Sequence, residues 1–288
     1  SQVADKWGIS ERSVRNYCSQ GRIPGVVLDG KTWKIPESAV KPERKKRAGK
    51  IPDDLLARLK LEKKSHVSGG IYHKIQIDLT YNSNHMEGNR LTHDQTRYIY
   101  ETNTIGIQDA TVNVDDVVET VNHFRCVDLV IEQANYTLSE AFIKQLHSIL
   151  KTGTSDSRKE WFAVGDYKRF ENEVGGKATA KPDEVADKMK ALLRSYNRSK
   201  KKSLKEIVAF HYKFERIHPF QDGNGRVGRL IMFKECLTPF IIEDDIKEFY
   251  YRGLNEWEDE TGYLMNTCLT AQDRFKVYMD YFGIKYKD

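Results

Sequence analysis

This 288-residue sequence predicts a mainly α fold: a helical bundle with one small β-hairpin flap, preceded by a small basic helix–hairpin module. Three observations carry that prediction. From Ile71 onward, apolar residues recur at three- and four-residue spacing through most of the chain. A short aromatic, glycine-punctuated stretch around residues 161–178 breaks that period, as a hairpin would. Charge is also unevenly spread. Residues 1–50 carry 12 Lys+Arg against 5 Asp+Glu, a net of +7, while the other 238 carry 35 against 37, a net of −2.

Taken in order, residues 1–45 read as a separate domain. Ala4 to Ser10 is a short helix ending at Gly8, and Ser10 can cap a second helix through Cys18. Glu11 suits the positive end of that helix, and Gly21 stops it. Val26-Val27-Leu28 and Thr32-Trp33-Lys34-Ile35 then flank Asp29-Gly30-Lys31, a strong hairpin signal. Two helices and a hairpin resemble a winged helix-turn-helix of the excisionase or MerR type. That resemblance implies DNA as a partner, with Arg12, Ser13, Arg15 and Asn16 entering the major groove. Lys31 and Lys34 on the wing would reach phosphate. The alternative is a protein-docking module whose lysines are merely solvated.

Residues 46–70 read as a linker and connecting helix, charged through Arg47 and then apolar at Leu55, Leu56, Leu59 and Leu61. Residues 71–288 form the second domain. Its first helical region runs from Ile71 to about Asn103 and breaks near Gly88-Asn89. The break leaves Glu87 at a helix carboxyl end, which the helix dipole disfavours; it is either a solvated glutamate beside a helix cap or one with a cationic partner elsewhere. Val112 to Leu150 supplies core, with Ser139 as a cap, and His123 and His147 read as core histidines. Trp161 to Arg169 and Val174 to Ala178 read as the flap, whose exposed edge could bind an extended chain. No apolar run is long enough to span a bilayer, and no secretory signal is evident, so a cytoplasmic location without membrane contact is expected. Cys18, Cys126, Cys236 and Cys268 are scattered without metal-ligand spacing.

The stretch from His218 to Arg229, HPFQDGNGRVGR, holds the chemistry. Val208, Phe210, His211, Phe214 and Ile217 lead in as a helical stripe, and Val227, Leu230, Ile231, Phe233 and Leu237 lead out. The loop therefore starts a core helix. Gly223, Asn224 and Gly225 can expose N–H groups at its positive end, making an anion nest. Arg226 and Arg229 lie three apart, where both can face one anion. Asp222 could hold Mg²⁺, and His218 has the intrinsic pKa to take a proton from a hydroxyl. These parts point to phosphoryl or nucleotidyl transfer to a hydroxyl.

HPFQDGNGRVGR resembles the full signature of the Fic family, HxFx(D/E)GNGRxxR. The resemblance implies a helical fold with a flap hairpin, whose Val164 and Tyr167 would contact the nucleotide. It implies AMP transfer from ATP to a Ser, Thr or Tyr hydroxyl of a protein, the chain itself included, with Mg²⁺ and release of pyrophosphate. His218 would then be the base, Asp222 the metal ligand, and Gly223, Asn224, Gly225 and Arg226 the phosphate cradle. Arg229 would grip the γ-phosphate, and Tyr250 and Tyr251 would lie near the adenine. Gly225 stands where the kinase-like Doc branch has lysine, which favours adenylylation. Ser83 to Gly88 matches the family's inhibitory pattern, (S/T)xxxE(G/N), within an inhibitory helix at about 71–88. This implies that Glu87 pairs with Arg229 and holds the site off. Removal of AMP from a modified target, or nucleotide sensing by a transcriptional regulator without turnover, are the alternatives. A homo-oligomer is left open.

Overall fold

The structure is a computed structural model that describes residues 2–42, 51–106 and 111–286. It divides into two compact units, residues 1–51 and 52–288.

In the first unit, α1 (Gln2–Trp7) and α2 (Glu11–Ser19) turn on each other at Gly8, and Ser10 Oγ accepts from the Ser13 N–H at the start of α2. Strands β1 (Val27–Asp29) and β2 (Thr32–Lys34) pair antiparallel, with Leu28 opposite Trp33. Ala4, Trp7, Val14, Cys18 and Ile23 bury one another in a small core, with Trp33 and Ile35 covering it. The elements stand where the sequence placed them. Residues 2–42 carry 7 Lys+Arg against 4 Asp+Glu, a net of +3. The remaining +4 belongs to residues 43–50, so the charged start of the expected linker, residues 46–50, lies outside the described residues.

The second unit opens with α3 (Leu55–Ser65), capped by Asp54. Here the sequence reading needs correcting. Leu55, Leu56 and Leu59 pack in the same core as Ile71, Ile75 and Val130, so α3 is part of the bundle rather than a connector. Then follow α4 (Ile71–His85), α5 (His93–Thr102), α6 (Val114–Gln133) and α7 (Glu140–Lys151). The break between α4 and α5 is made by Gly88 at φ +86° and a reciprocal Thr92–Gln95 capping box. The rest is α8 (Pro182–Tyr196), α9 (Leu204–Ile217), α10 (Asn224–Cys236), α11 (Asp244–Asn255) and α12 (Gly262–Tyr281).

A second correction concerns the flap. The strands are β3 (Glu173–Val174) and β4 (Lys177–Ala178), turning at Gly175-Gly176, and Trp161–Arg169 is irregular. That earlier stretch is fastened elsewhere. The Gly165 N–H donates to His147 Nδ1 at 3.0 Å, and a Cβ at Gly165 would meet Ser148 Cβ at 2.8 Å. The Lys168 N–H donates to the Pro219 carbonyl at 2.9 Å, so residues 165–168 brace the HPFQDGNGR loop instead of pairing as a strand.

Helix α10 is buried almost all round, which suits a central helix. Val227, Leu230, Ile231 and Phe233 face the larger core, and Met232 faces a second core with Tyr250, Leu264 and Cys268. Each fully buried side chain of this size contributes roughly 1.5–3 kcal/mol. Helices α11 and α12 close the second core, and at Gly253 a Cβ would lie 2.6 Å from the Leu264 Cα and N. Because those atoms are backbone, Gly253→Ala should force the two helices apart and destabilise the unit by about 1–3 kcal/mol, read as a lowered thermal midpoint.

Candidate active site at the amino end of α10

The loop between α9 and α10 is built to hold one shape. His218 ends α9 in the left-handed region (φ +51°), its N–H donating to the Phe214 carbonyl at 2.9 Å. Phe220 is fully buried and stacks on His147 with centroids 4.0 Å apart and planes 6° apart. Asn224 staples the turn: its Oδ1 accepts from the Phe220 N–H and its Nδ2 donates to the Phe220 carbonyl, both at 2.8 Å. Gly223 begins α10 at φ +82°, where a side chain would be strained. No side chain caps α10, which leaves its first-turn N–H groups for an anion.

Two charged clusters flank that amino end. In the first, Lys151 Nζ donates to Glu119 Oε1 at 2.5 Å and to Asp222 Oδ2 at 2.6 Å. Arg226 donates to Glu119 Oε2 and, at 3.2 Å, to the same Asp222 oxygen. Burial alone would raise the Asp222 carboxyl, but the charges of Arg226 and Lys151 hold it well below the usual carboxylate range. In the second, Arg229 Nε donates to Ser83 Oγ at 3.0 Å, and its Nη2 donates to the Ser83 carbonyl at 2.8 Å and Glu87 Oε1 at 2.6 Å. Arg229 is 3 % exposed, whereas the Glu87 side chain is 26 % exposed. Gly225 makes this approach physically available, because a Cβ there would lie 2.2 Å from Glu87 Oε1.

The predicted residues therefore divide. His218, Gly223, Gly225, Asp222, Arg229, Ser83 and Glu87 come together at one place. Arg226 does not share an anion with Arg229; it is committed to Glu119 and Asp222. Asn224 uses both ends of its amide within the loop, so it shapes the cradle rather than lining it. Tyr250 is 1 % exposed and its hydroxyl meets His211 Nε2 at 2.6 Å, which makes it a core residue and not an adenine contact. Tyr251 is half-buried. Its hydroxyl donates to the Met86 carbonyl, and its ring lines a cavity of about 330 Å³ with Val174, Gly175, Leu254 and Asn255. Val164 and Tyr167 do not line that cavity; Tyr167 packs toward Phe220 under Lys144. Sequence reading missed Glu119, Lys151 and Lys168. Lys168 is buried and donates to Asn172 Oδ1 and Thr179 Oγ1, both at 2.6 Å, anchoring the hairpin base.

His218 is neutral at pH 7. Burial, and then the charge of Lys168, push its imidazole down to about 4. Among the described residues no cluster of three or more His, Cys, Asp or Glu could hold a metal. Asp222 is a single carboxylate, with its side chain 44 % exposed. That donor set fits a Mg²⁺ held by one carboxylate and the phosphates of a bound nucleotide. In the first unit, Arg12, Asn16, Lys31 and Lys34 are exposed, while Ser13 shares the Ser10 cap and Arg15 reaches Glu11 at 3.4 Å.

The bundle with this loop at the head of a central helix is shared with solved Fic proteins. Residues 137–236 match the model of the Fic/DOC family. The protein adenylyltransferase Fic of Drosophila grimshawi is 28% identical over 206 residues, covering 69% of this chain and 39% of that protein. Its counterpart in Drosophila persimilis is 29% identical over 204 residues, covering 68% of this chain and 37% of that one. The chain thus spans well under half the length of these relatives. A Fic domain containing signaling protein from Bacteroides thetaiotaomicron superposes with a TM-score of 0.62 at 22% identity, over 80% of this chain and 96% of that one. A Fic family protein from Desulfovibrio desulfuricans gives 0.60 at 22% identity, over 81% and 73%.

Three buried histidines and the partly buried His218 make the unit acid-sensitive. Burial pushes His123 and His211 down to about 3, and His147 and His218 to about 4, from 6.5. Between those values the unfolded chain binds protons that the folded chain refuses, so stability falls as pH drops from 6.5 toward 4. At pH 5 each contributes roughly 1–2 kcal/mol of that loss. Urea midpoints at pH 7 and pH 5 should differ accordingly, and replacing His123 with glutamine should shrink the difference.

Proposed function

We propose that this chain is a protein adenylyltransferase, transferring AMP from ATP to a Ser, Thr or Tyr hydroxyl of a protein, and that Glu87 holds it off. The observation that carries the reading is the arrangement around α10. A neutral imidazole, an uncapped helix amino end opened by Gly223 and Gly225, and a buried arginine already occupied by a carboxylate converge on one point. The curated relatives are named protein adenylyltransferase, which supports the same chemistry.

In this reading the adenine enters the cavity walled by Tyr251, Val174 and Leu254, and the phosphates run along the amino end of α10. His218 Nε2 takes the proton of the incoming hydroxyl. The hydroxyl oxygen bonds to the α-phosphorus, and the bond from that phosphorus to the β-phosphate oxygen breaks, releasing pyrophosphate. The first-turn N–H groups of α10 meet the charge that builds on the α-phosphoryl oxygens. Asp222 would hold Mg²⁺, which supplies charge neutralisation between phosphates when bound. Arg229 binds the γ-phosphate only once Glu87 withdraws; with Glu87 in place the triphosphate seats away from in-line attack. The exposed edge of Glu87 leaves room for a water, and hydrolysis of AMP from a modified hydroxyl, returning the free hydroxyl and AMP, is the second reading.

Glu87→Gly protein incubated with ATP and Mg²⁺ should gain AMP, on itself or on lysate proteins, at least tenfold faster than the parent chain. Mass spectrometry reads this directly. The double variant Glu87→Gly, His218→Ala should lose about a hundredfold or more of that gain. Equal labelling of the parent and Glu87→Gly chains would remove the inhibitory role, and labelling that survives His218→Ala would remove the base.

For the first unit we propose DNA as the partner. Arg12, Asn16 and Lys31 are exposed on α2 and the hairpin turn, and a cavity of about 470 Å³ between α2 and the hairpin is rimmed by Arg15, Lys31 and Lys34. Lys31→Ala should weaken duplex binding by the full chain and lower its salt slope by about 1, measured by fluorescence anisotropy. An unchanged slope would favour protein docking.

A further inference from the structure

Behind His218 lies a buried polar chain that no step above uses. Glu215, in the last turn of α9, is 8 % exposed, and its Oε2 lies 4.0 Å from His218 Nδ1. Its Oε1 lies 3.9 Å from His211 Nδ1, and His211 Nε2 lies 2.6 Å from the Tyr250 hydroxyl. Glu215 Oε1, His211 Nδ1 and His218 Nδ1 are each buried without a well-formed hydrogen bond, although the Glu215 backbone also acts on the His218 ring. Unpaired buried polar atoms are costly, and three on neighbouring side chains call for a shared reason. Gly228 makes the room for them: a Cβ there would lie 2.6 Å from Glu215 Oε1 and 2.7 Å from His211 Nδ1.

We propose that Glu215, backed by His211 and Tyr250, is a positioning residue that fixes the tautomer of His218. Two proton patterns join the chain, and both put the hydrogen of His218 on Nδ1, donating to Glu215 Oε2. With Glu215 ionised, His211 Nδ1–H donates to Glu215 Oε1 and the Tyr250 hydroxyl donates to His211 Nε2; with Glu215 protonated, Glu215 Oε1–H donates to His211 Nδ1 and His211 Nε2–H donates to the Tyr250 oxygen. The two longer gaps reach hydrogen-bond length with side-chain shifts of about 1 Å, a tightening expected when a substrate seats. The surroundings favour the protonated form: burial raises the Glu215 carboxyl to about 8, Arg229 on α10 opposes that and Glu87 beyond α4 adds to it. Neutral His211 on α9, His218 in the loop and Tyr251 on α11 complete the shell. With Nδ1 holding the hydrogen, the lone pair of His218 stands on Nε2, where a hydroxyl proton must be taken.

This rests on His218 being the base of the reading above, so the test separates the two. ¹⁵N-histidine NMR of the full chain reports the His218 tautomer and titration without any turnover. The parent chain should show His218 protonated on Nδ1. Glu215→Leu should mix the two tautomers and move the His218 titration by at least half a pH unit, while Glu215→Gln, which still accepts at Nδ1, should keep the parent tautomer. In the Glu87→Gly background, Glu215→Leu should lower kcat at least tenfold, and Glu215→Gln, which keeps the cavity wall that Glu215 shares with Tyr251, should recover part of the loss. A His218 tautomer and titration unmoved by Glu215→Leu would overturn the proposal even if AMP transfer is robust. The expected NMR change without any AMP transfer would retain the positioning role and discard the base.

Discussion

A guanidinium that is 3 % exposed must find an anion, and that requirement organises this molecule. Arg229 sits one turn into the central helix, where solvent cannot pay its hydration back. Ser83 supplies two neutral acceptors, and the charge is met by Glu87. Everything that shapes the end of α4 serves that meeting. The Gly88 turn frees Glu87 from the helix, and Tyr251 ties the adjoining Met86 carbonyl to α11. Gly225 leaves the gap that the carboxylate fills. Glu87 reaches Arg229 from a partly exposed edge, the route that the proposed function gives to a phosphate.

The first charged cluster obeys the same rule with a different outcome. Lys151 and Arg226 are both buried and share Glu119 and Asp222, so charge is balanced inside the protein with no ligand present. That balance fixes the loop, and both cations use the same oxygen of Asp222, Oδ2. Asn224 and the Phe220–His147 stack add rigidity without charge, so the amino end of α10 is preorganised and its fourfold demand for acceptors is left open to a substrate.

How much of this was legible in the sequence follows from the range of each interaction. The loop, its glycines and the helices around it could be read because their signals are local: caps, spacing and positive-φ glycines. The Glu87–Arg229 pair, 142 residues apart, was reachable only through a pattern resemblance added to the poor dipole placement of Glu87. Arg226 was misread because spacing puts it on the face of Arg229, whereas Glu119 on α6 pulls it aside, and nothing local announces Glu119. Tyr250 looked like its neighbour Tyr251; adjacent residues on a helix face different surroundings, and one of the two had to enter the core. The hairpin was placed too early because aromatic and glycine content resembles a strand pair, while the real constraints on Gly165 and Lys168 come from α7 and Pro219. Glu215 alone had a usable local sign, a carboxylate three residues before the histidine.

The central claim is competition between Glu87 and a nucleotide γ-phosphate for Arg229, and calorimetric titration of ATP and ADP into the parent chain and Glu87→Gly tests it most directly. If the two anions share one arginine, removing Glu87 should tighten ATP by about tenfold more than ADP, which has no γ-phosphate to gain the site. Equal gains for both nucleotides, or none, would contradict the account.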